Sequence, residues 1–319
     1  MTPETLAAWS LVGVYSAAAV YLGAFALFLA DLARRSGAAP APAVAASRTA
    51  ELNGSAAVLV DAPPAPPVSA PVSRVPRIAF ALTVLGLVVH VAATVLRGVA
   101  AERVPWANMF EFALTGTAII VAVFVLANLW KDLRFLGTFV TGLAVLLLGL
   151  ATVNLYVDVV PLPPALDSAW LVVHVLVAIL ATGFFALGAG LSIAQLLQAR
   201  REAGKLPRAR FLTTLPGSTT LETLAYRVNI IGFTLWTFTL IFGSIWAERA
   251  WGRYWGWDTK EVWTFVIWVV FAGYIHARAT RGWRGARSAV LAIVGFAAVL
   301  FNFTIVNLFF KGLHAYSGL

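Results

Sequence analysis

Eight apolar runs, each near the roughly twenty residues that a helix needs to cross a hydrocarbon core, recur along this chain of 319 residues. They lie at about Leu6 to Leu32, Ile78 to Leu96, Phe110 to Trp130, Phe135 to Tyr156, Trp170 to Leu197, Val228 to Trp246, Val262 to Thr280 and Ala289 to Phe310. A chain that is 61% hydrophobic and 12% charged is no ordinary soluble globule. The expected fold is all-α: a polytopic transmembrane helical bundle of about eight spans.

The first run is expected to be a retained span. A signal peptide carries its positive charge before the apolar stretch, whereas here Glu4 precedes it and Arg34 and Arg35 follow. Next come APAPAVAAS and DAPPAPPVSAPVS, which have no helical periodicity and read as a disordered tether. The expected division is a first span over 1–35, an Ala/Pro-rich cytoplasmic linker over 36–76 and a seven-span domain over 77–319.

The net charge of +9 does not imply nucleic acid, because the basic residues are scattered through short loops instead of forming one patch. If the linker and the loops after spans three, five and seven face the cytoplasm, they hold seventeen of the 23 Lys and Arg residues. That bias places both termini and the segment between spans six and seven on the extracytoplasmic side. The expected location is the cell membrane.

The segment between those spans is rich in tryptophan. Trp246 to Trp268 holds six of the twelve tryptophans of the chain. Flat amphipathic rings suit either a membrane interface or a planar ligand. If WGRYWGWD were helical, Trp251, Trp255 and Asp258 would share one face, with Gly252 and Gly256 beside them. Two glycines in seven residues weaken a helix by about 1 kcal/mol each, which points to shaping by packing or by a ligand. An interfacial belt stays open for Trp246, Trp263 and Trp268.

With no cysteine and two methionines, the four histidines are the main potential transition-metal ligands. His174, in the first outer turn of span five, and His314, beyond span eight, fall at one depth with the tryptophan segment between them in sequence. Two imidazoles from different helices beside an aromatic wall fit haem iron; the alternative is a pair of interfacial residues making hydrogen bonds. His276 comes near the cytoplasmic end of span seven, and His90 lies inside span two. Their depths differ by on the order of 10 Å, so they do not pair on one haem, and His276 needs a ligand from elsewhere.

WGRYWGWD resembles the W-G-x-x-W-x-W-D signature of the haem-handling membrane proteins that build c-type cytochromes, through Trp251, Gly252, Trp255, Trp257 and Asp258. KEVW at 260–263 extends the likeness. Arg97 followed by Pro105, Asn108 and Glu111 resembles an element of the CcsA-type proteins of the system II pathway. Arg253, Thr259, Ala107 and Phe112 depart from the common pattern.

The resemblance covers about Ile78 to Leu319 and implies a haem-binding half of a cytochrome c synthase. In it, His174 and His314 hold an outer b-type haem under the tryptophan loop. His276 binds an inner haem together with a histidine of a CcsB/ResB-type subunit, and His90 has no assigned role. Apocytochrome Cys-x-x-Cys-His thiols then add to the vinyl groups of haem, with positioning as the contribution of this chain and no residue assigned to acid-base chemistry. Asp258 is expected to orient an indole N–H or a backbone amide, or to serve as a plain loop cap. The rival functions are a haem exporter without attachment activity and a dihaem cytochrome b-like electron carrier.

Overall fold

A computed structural model describes residues 1–37, 74–160, 162, 166–280, 282–310 and 312–314. The linker expected over 36–76 falls almost wholly outside them. The helices are α1 (Pro3–Gly37), α2 (Val75–Ala100), α3 (Met109–Trp130), α4 (Gly137–Asn154), α5 (Ala169–Glu202), α6 (Ser218–Trp251), α7 (Thr259–Thr280), α8 (Ala286–Phe303) and the short α9 (Ile305–Phe309). Among the described residues there is no strand, and eight helical segments are long and apolar enough to cross a membrane. The chain is a multi-pass membrane protein.

Helix limits exceed the apolar runs where charges are paired inside the bundle. Hydropathy alone starts the sixth span at Val228, yet α6 begins at Ser218. The reason is Glu222, which is buried and accepts a 2.7 Å bond from Arg278 of α7, so a charged turn extends the helix at no cost in unpaired charge.

Two four-span halves meet along α3 and α5. In the first, Tyr21, Phe110, Phe124 and Leu148 form a common core; in the second, Phe185, Trp236, Phe271 and Tyr274 do so. The first span is packed into its half: Phe25 and Phe28 of α1 lie over Gly142 and Gly137 of α4, and the buried Tyr21 hydroxyl is 3.4 Å from His90 Nδ1 of α2. His90 is fully buried there.

A second buried charge cluster fixes the end of the first half nearest the tryptophan segment. Glu111, fully buried in the first turn of α3, accepts from Arg97 Nε at 3.2 Å, from Arg103 Nη1 at 2.7 Å and from the Ala107 amide at 2.9 Å. Asn108 caps α3 by accepting from the Glu111 amide at 2.9 Å. Arg97 also donates to the Val157 carbonyl at 2.7 Å and lies 5.3 and 5.7 Å from the ring centroids of Phe110 and Tyr156, which pack edge-on against each other. The element that linked Arg97 to Glu111 in the sequence is thus a brace joining α2, α3 and the α4–α5 connection.

Candidate functional site

The helical arrangement of WGRYWGWD does not occur. α6 stops at Trp251 because Gly252 takes a left-handed conformation (φ 69°) and caps the helix, its amide donating to the Glu248 carbonyl at 2.7 Å. Residues 253–258 are non-helical, so Trp251, Trp255 and Asp258 share no helix face. What shapes the loop is Glu261. It accepts from Arg253 Nη1 at 3.0 Å on one oxygen, and from the amides of Gly256 (2.8 Å) and Asp258 (3.0 Å) on the other. A glutamate at the third helical position reaching back to the cap amide is half of a capping box, and here it also closes a loop.

Inside that loop the aromatic rings have separate tasks. Trp251 packs edge-on against His314 with centroids 4.7 Å apart, and Trp255 lines a cavity. Trp257 is 73% exposed and stands edge-on to Trp255, in a left-handed conformation (φ 60°) that is strained for a tryptophan. The Arg253 guanidinium, a departure from the common pattern, binds Glu261 and lies 5.7 Å from the Trp251 ring centroid.

His174 and His314 are both tied down through the same ring nitrogen. His314 Nδ1 donates to Asp258 Oδ2 at 2.6 Å, and its backbone amide reaches the same oxygen at 3.3 Å. That bond holds the Asp258 carboxyl below its usual pKa, so the group stays an ionised acceptor. Asp258 therefore orients a histidine, besides standing at the cap of α7.

His174 Nδ1 donates to the Thr239 carbonyl of α6 at 3.0 Å. The ring comes this close only because residue 243 is glycine: a Cβ there would lie 2.7 Å from His174 Cε1. Trp246, 2% exposed, stacks on His174 at 5.8 Å and meets His314 edge-on at 5.5 Å. It is a buried wall shared by the two histidines, which removes it from the interfacial belt. Trp268 donates to Thr237 Oγ1 at 3.0 Å, and Trp263 packs on Phe301.

With Nδ1–H committed to an oxygen, each imidazole is held as the tautomer whose Nε2 lone pair is free for a metal. Among the described residues nothing hydrogen-bonds to either Nε2. Both rings line one largely apolar cavity of about 350 Å³ that reaches down between α3, α5, α6 and α8, with Trp106, Trp236, Trp246 and Trp255 in its walls. That volume lies within the roughly 300–1,000 Å³ of cofactor sites. Oriented imidazoles, indole walls and an apolar interior are the donor set and surroundings that a porphyrin iron requires.

Comparison with known proteins agrees with this chemistry. Residues 106–314 match the family described as Cytochrome C assembly protein. The chain belongs to that family. It is 33% identical over 259 residues to the cytochrome c biogenesis protein CcsA of Guillardia theta, covering 76% of this chain and 86% of the relative. To CcsA of Synechococcus elongatus it is 35% identical over 274 residues, covering 66% and 84%. Among solved structures, the cytochrome c haem lyase CcmF superposes with a TM-score of 0.64 at 17% identity. The match takes in 95% of this chain but only about half (47%) of that longer one, and at such identity it shows a common fold.

In this cytochrome c assembly protein the remaining histidines stay apart from the cavity. His276 presents an exposed side chain on α7, and His90 is sealed between α1 and α2. Sequence reasoning missed Thr239 and Gly243 as parts of the site; Lys260 and Glu261 stood in the KEVW likeness but were given no role. The loop-closing role of Glu261 had a usable signal: it follows Asp258 by three residues, the capping-box spacing.

Proposed function

We propose that this chain is the haem-binding subunit of a system II cytochrome c synthase, which positions haem outside the cytoplasm for attachment to Cys-x-x-Cys-His apocytochromes. The observation that carries the reading is the pair His174 and His314, each tethered through Nδ1 on one cavity beneath the tryptophan loop. Haem is the substrate, held through its iron while the loop limits its orientation. In the attachment step a cysteine S–H adds across a vinyl group. A C–S bond forms, the proton ends on the other vinyl carbon, and no group leaves. The work of this chain is to hold the reacting edge still, since orientation alone is able to supply several kcal/mol toward such an addition.

His276 supports a second, inner station. Its exposed side chain near the end of α7 is accessible to a histidine from a CcsB/ResB-type subunit, the arrangement expected of two half-sites. On this reading His276→Ala depletes the inner haem and lowers loading of the outer one, by haem content per purified complex. Normal outer loading in that variant would show that haem arrives by another path.

The deciding experiment is co-expression with such a subunit and a Cys-x-x-Cys-His apocytochrome, followed by denaturing electrophoresis with haem staining. Covalently stained cytochrome is the expected product. Haem that crosses the membrane without becoming covalent would identify an exporter instead. The dihaem carrier lacks support, because His90 and His276 lie in different halves, one sealed and one exposed.

Asp258→Ala removes the carboxylate that orients His314, and loss of such a supporting partner typically weakens metal binding by about 10–100-fold. A haem titration of the purified protein followed by absorbance checks this. Unchanged affinity would separate Asp258 from the site.

A further inference from the structure

Lys260 stands in the first turn of α7 and lines the same cavity as His174 and His314. Its ammonium donates to Asn307 Oδ1 at 2.6 Å and to the Asn302 carbonyl at 3.4 Å, both uncharged acceptors. Among the described residues no carboxylate forms an ion pair with it. The two nearest in sequence are already engaged: Asp258 with His314, and Glu261 with Arg253 and two loop amides.

A cation in an apolar cavity without an anion is costly unless an anion joins it there. Lys260 is the one Lys or Arg among the described residues lining that cavity; the carboxylate that also lines it, Glu261, is taken up by Arg253 and two loop amides, and the other walls are imidazole, aromatic, aliphatic, hydroxyl and amide groups. A second donor faces the same lack: Asn108, 5% exposed and also a lining residue, has an amide nitrogen without an acceptor. Haem carries two carboxylates on one edge, and its vinyl groups lie away from that edge.

Resting on the haem-holding reading above, we infer that Lys260 is the propionate anchor of the outer site, fixing which edge of haem faces inward. The ammonium then receives a propionate as its third partner, and Asn307 and Asn302 hold it in place beforehand. Iron ligation alone leaves haem free to rotate about the axis through the two Nε2 atoms. A charge contact on one edge stops that rotation, and the vinyl-bearing part is turned away from Lys260. Lys260 is on this account a specificity-determining residue that selects an orientation.

The test compares haem with its dimethyl ester, in which both carboxylates are masked. Each is titrated into the purified protein, and only the absorbance component lost in His314→Ala is counted as the outer site. Wild-type protein is expected to bind haem at least about tenfold more tightly than the ester, roughly the value of one charge-assisted hydrogen bond. Lys260→Met is expected to bind the two alike, and Lys260→Arg to restore the preference. Low-spin binding of both porphyrins with equal affinity in wild type would overturn the propionate anchor while leaving the haem-holding reading intact. Absence of any His314-dependent signal would overturn that reading itself.

Should Lys260→Met fail to fold, the wild-type protein still decides. Carbodiimide treatment of the haem-loaded complex joins a carboxylate to a neighbouring amine, and peptide mass spectrometry is expected to find haem on Lys260. Haem linked only to other lysines would sink the assignment.

Discussion

Replacing either His174 or His314 with alanine is expected to abolish the low-spin bis-imidazole spectrum of the outer haem, the largest functional effect of any single substitution in the chain. Neither ring has a substitute nearby, because the other two histidines are elsewhere: His90 beside Tyr21 and His276 on an exposed face of α7. Each substitution removes a proposed iron ligand and also releases a partner, the Thr239 carbonyl in one case and the Asp258 carboxylate in the other. The consequences differ. A freed carbonyl sits within a helix backbone, whereas a freed Asp258 remains charged beside the cavity, so His314→Ala is expected to disturb the loop more.

Added imidazole separates loss of a ligand from loss of structure. Alanine at position 174 opens a space bounded by Gly243 and Trp246, and a free imidazole there is expected to return the low-spin spectrum. A variant that keeps the unaltered spectrum without imidazole would refute the ligand assignment. One that stays high-spin with imidazole, while unfolding at the wild-type temperature, would mean that the ring is held elsewhere when haem is bound.

Much of this architecture was legible because a bilayer imposes so few solutions. Eight apolar runs correspond to eight spans, and the alternation of the chain carries His174 and His314 to the end that bears the tryptophan loop. What hydropathy misjudged is where polar groups are paired in the interior. Glu222 and Arg278 lengthen α6 below its apolar run, and no window over one segment shows a partner 56 residues away. The loop was misjudged for a local reason. An i, i+4, i+7 spacing of Trp251, Trp255 and Asp258 is compatible with a helix, but a left-handed Gly252 ends the helix before the spacing applies. Trp246 was ambiguous in the sequence since an indole at a span end serves equally as anchor or wall. Only its burial against two imidazoles decides between them.

The largest effect on folding is expected from Glu111→Gln. The side chain keeps its shape but loses the charge that holds Arg97, 1% exposed, and Arg103, with 8% of its side chain exposed. Removing one member of a buried charge cluster typically costs about 3–5 kcal/mol, because the remaining charges are left unpaired. Set against a total stability of roughly 5–15 kcal/mol for a domain, that is enough to deplete folded protein. The expected result is a fall of several degrees or more in the unfolding temperature in detergent, with reduced yield of monodisperse protein. Arg97 keeps its 2.7 Å bond to Val157 and its contacts with Phe110 and Tyr156, whereas Arg103 keeps only longer bonds to the Val104 (3.3 Å) and Val160 (3.5 Å) carbonyls, so Arg103 carries the greater excess after the change. Adding Arg103→Gln to Glu111→Gln should therefore recover much of the loss, a non-additivity expected only of residues in one network. If the double variant is instead as unstable as the sum of its parts, the cluster acts through shape and not through charge. The brace also reaches the site: Val157 belongs to the connection that leads to α5, where Ser168 caps the helix carrying His174. A weakened Glu111 should loosen the position of His174 and lower outer haem loading even in the molecules that remain folded, whereas the rescued double variant should regain both together.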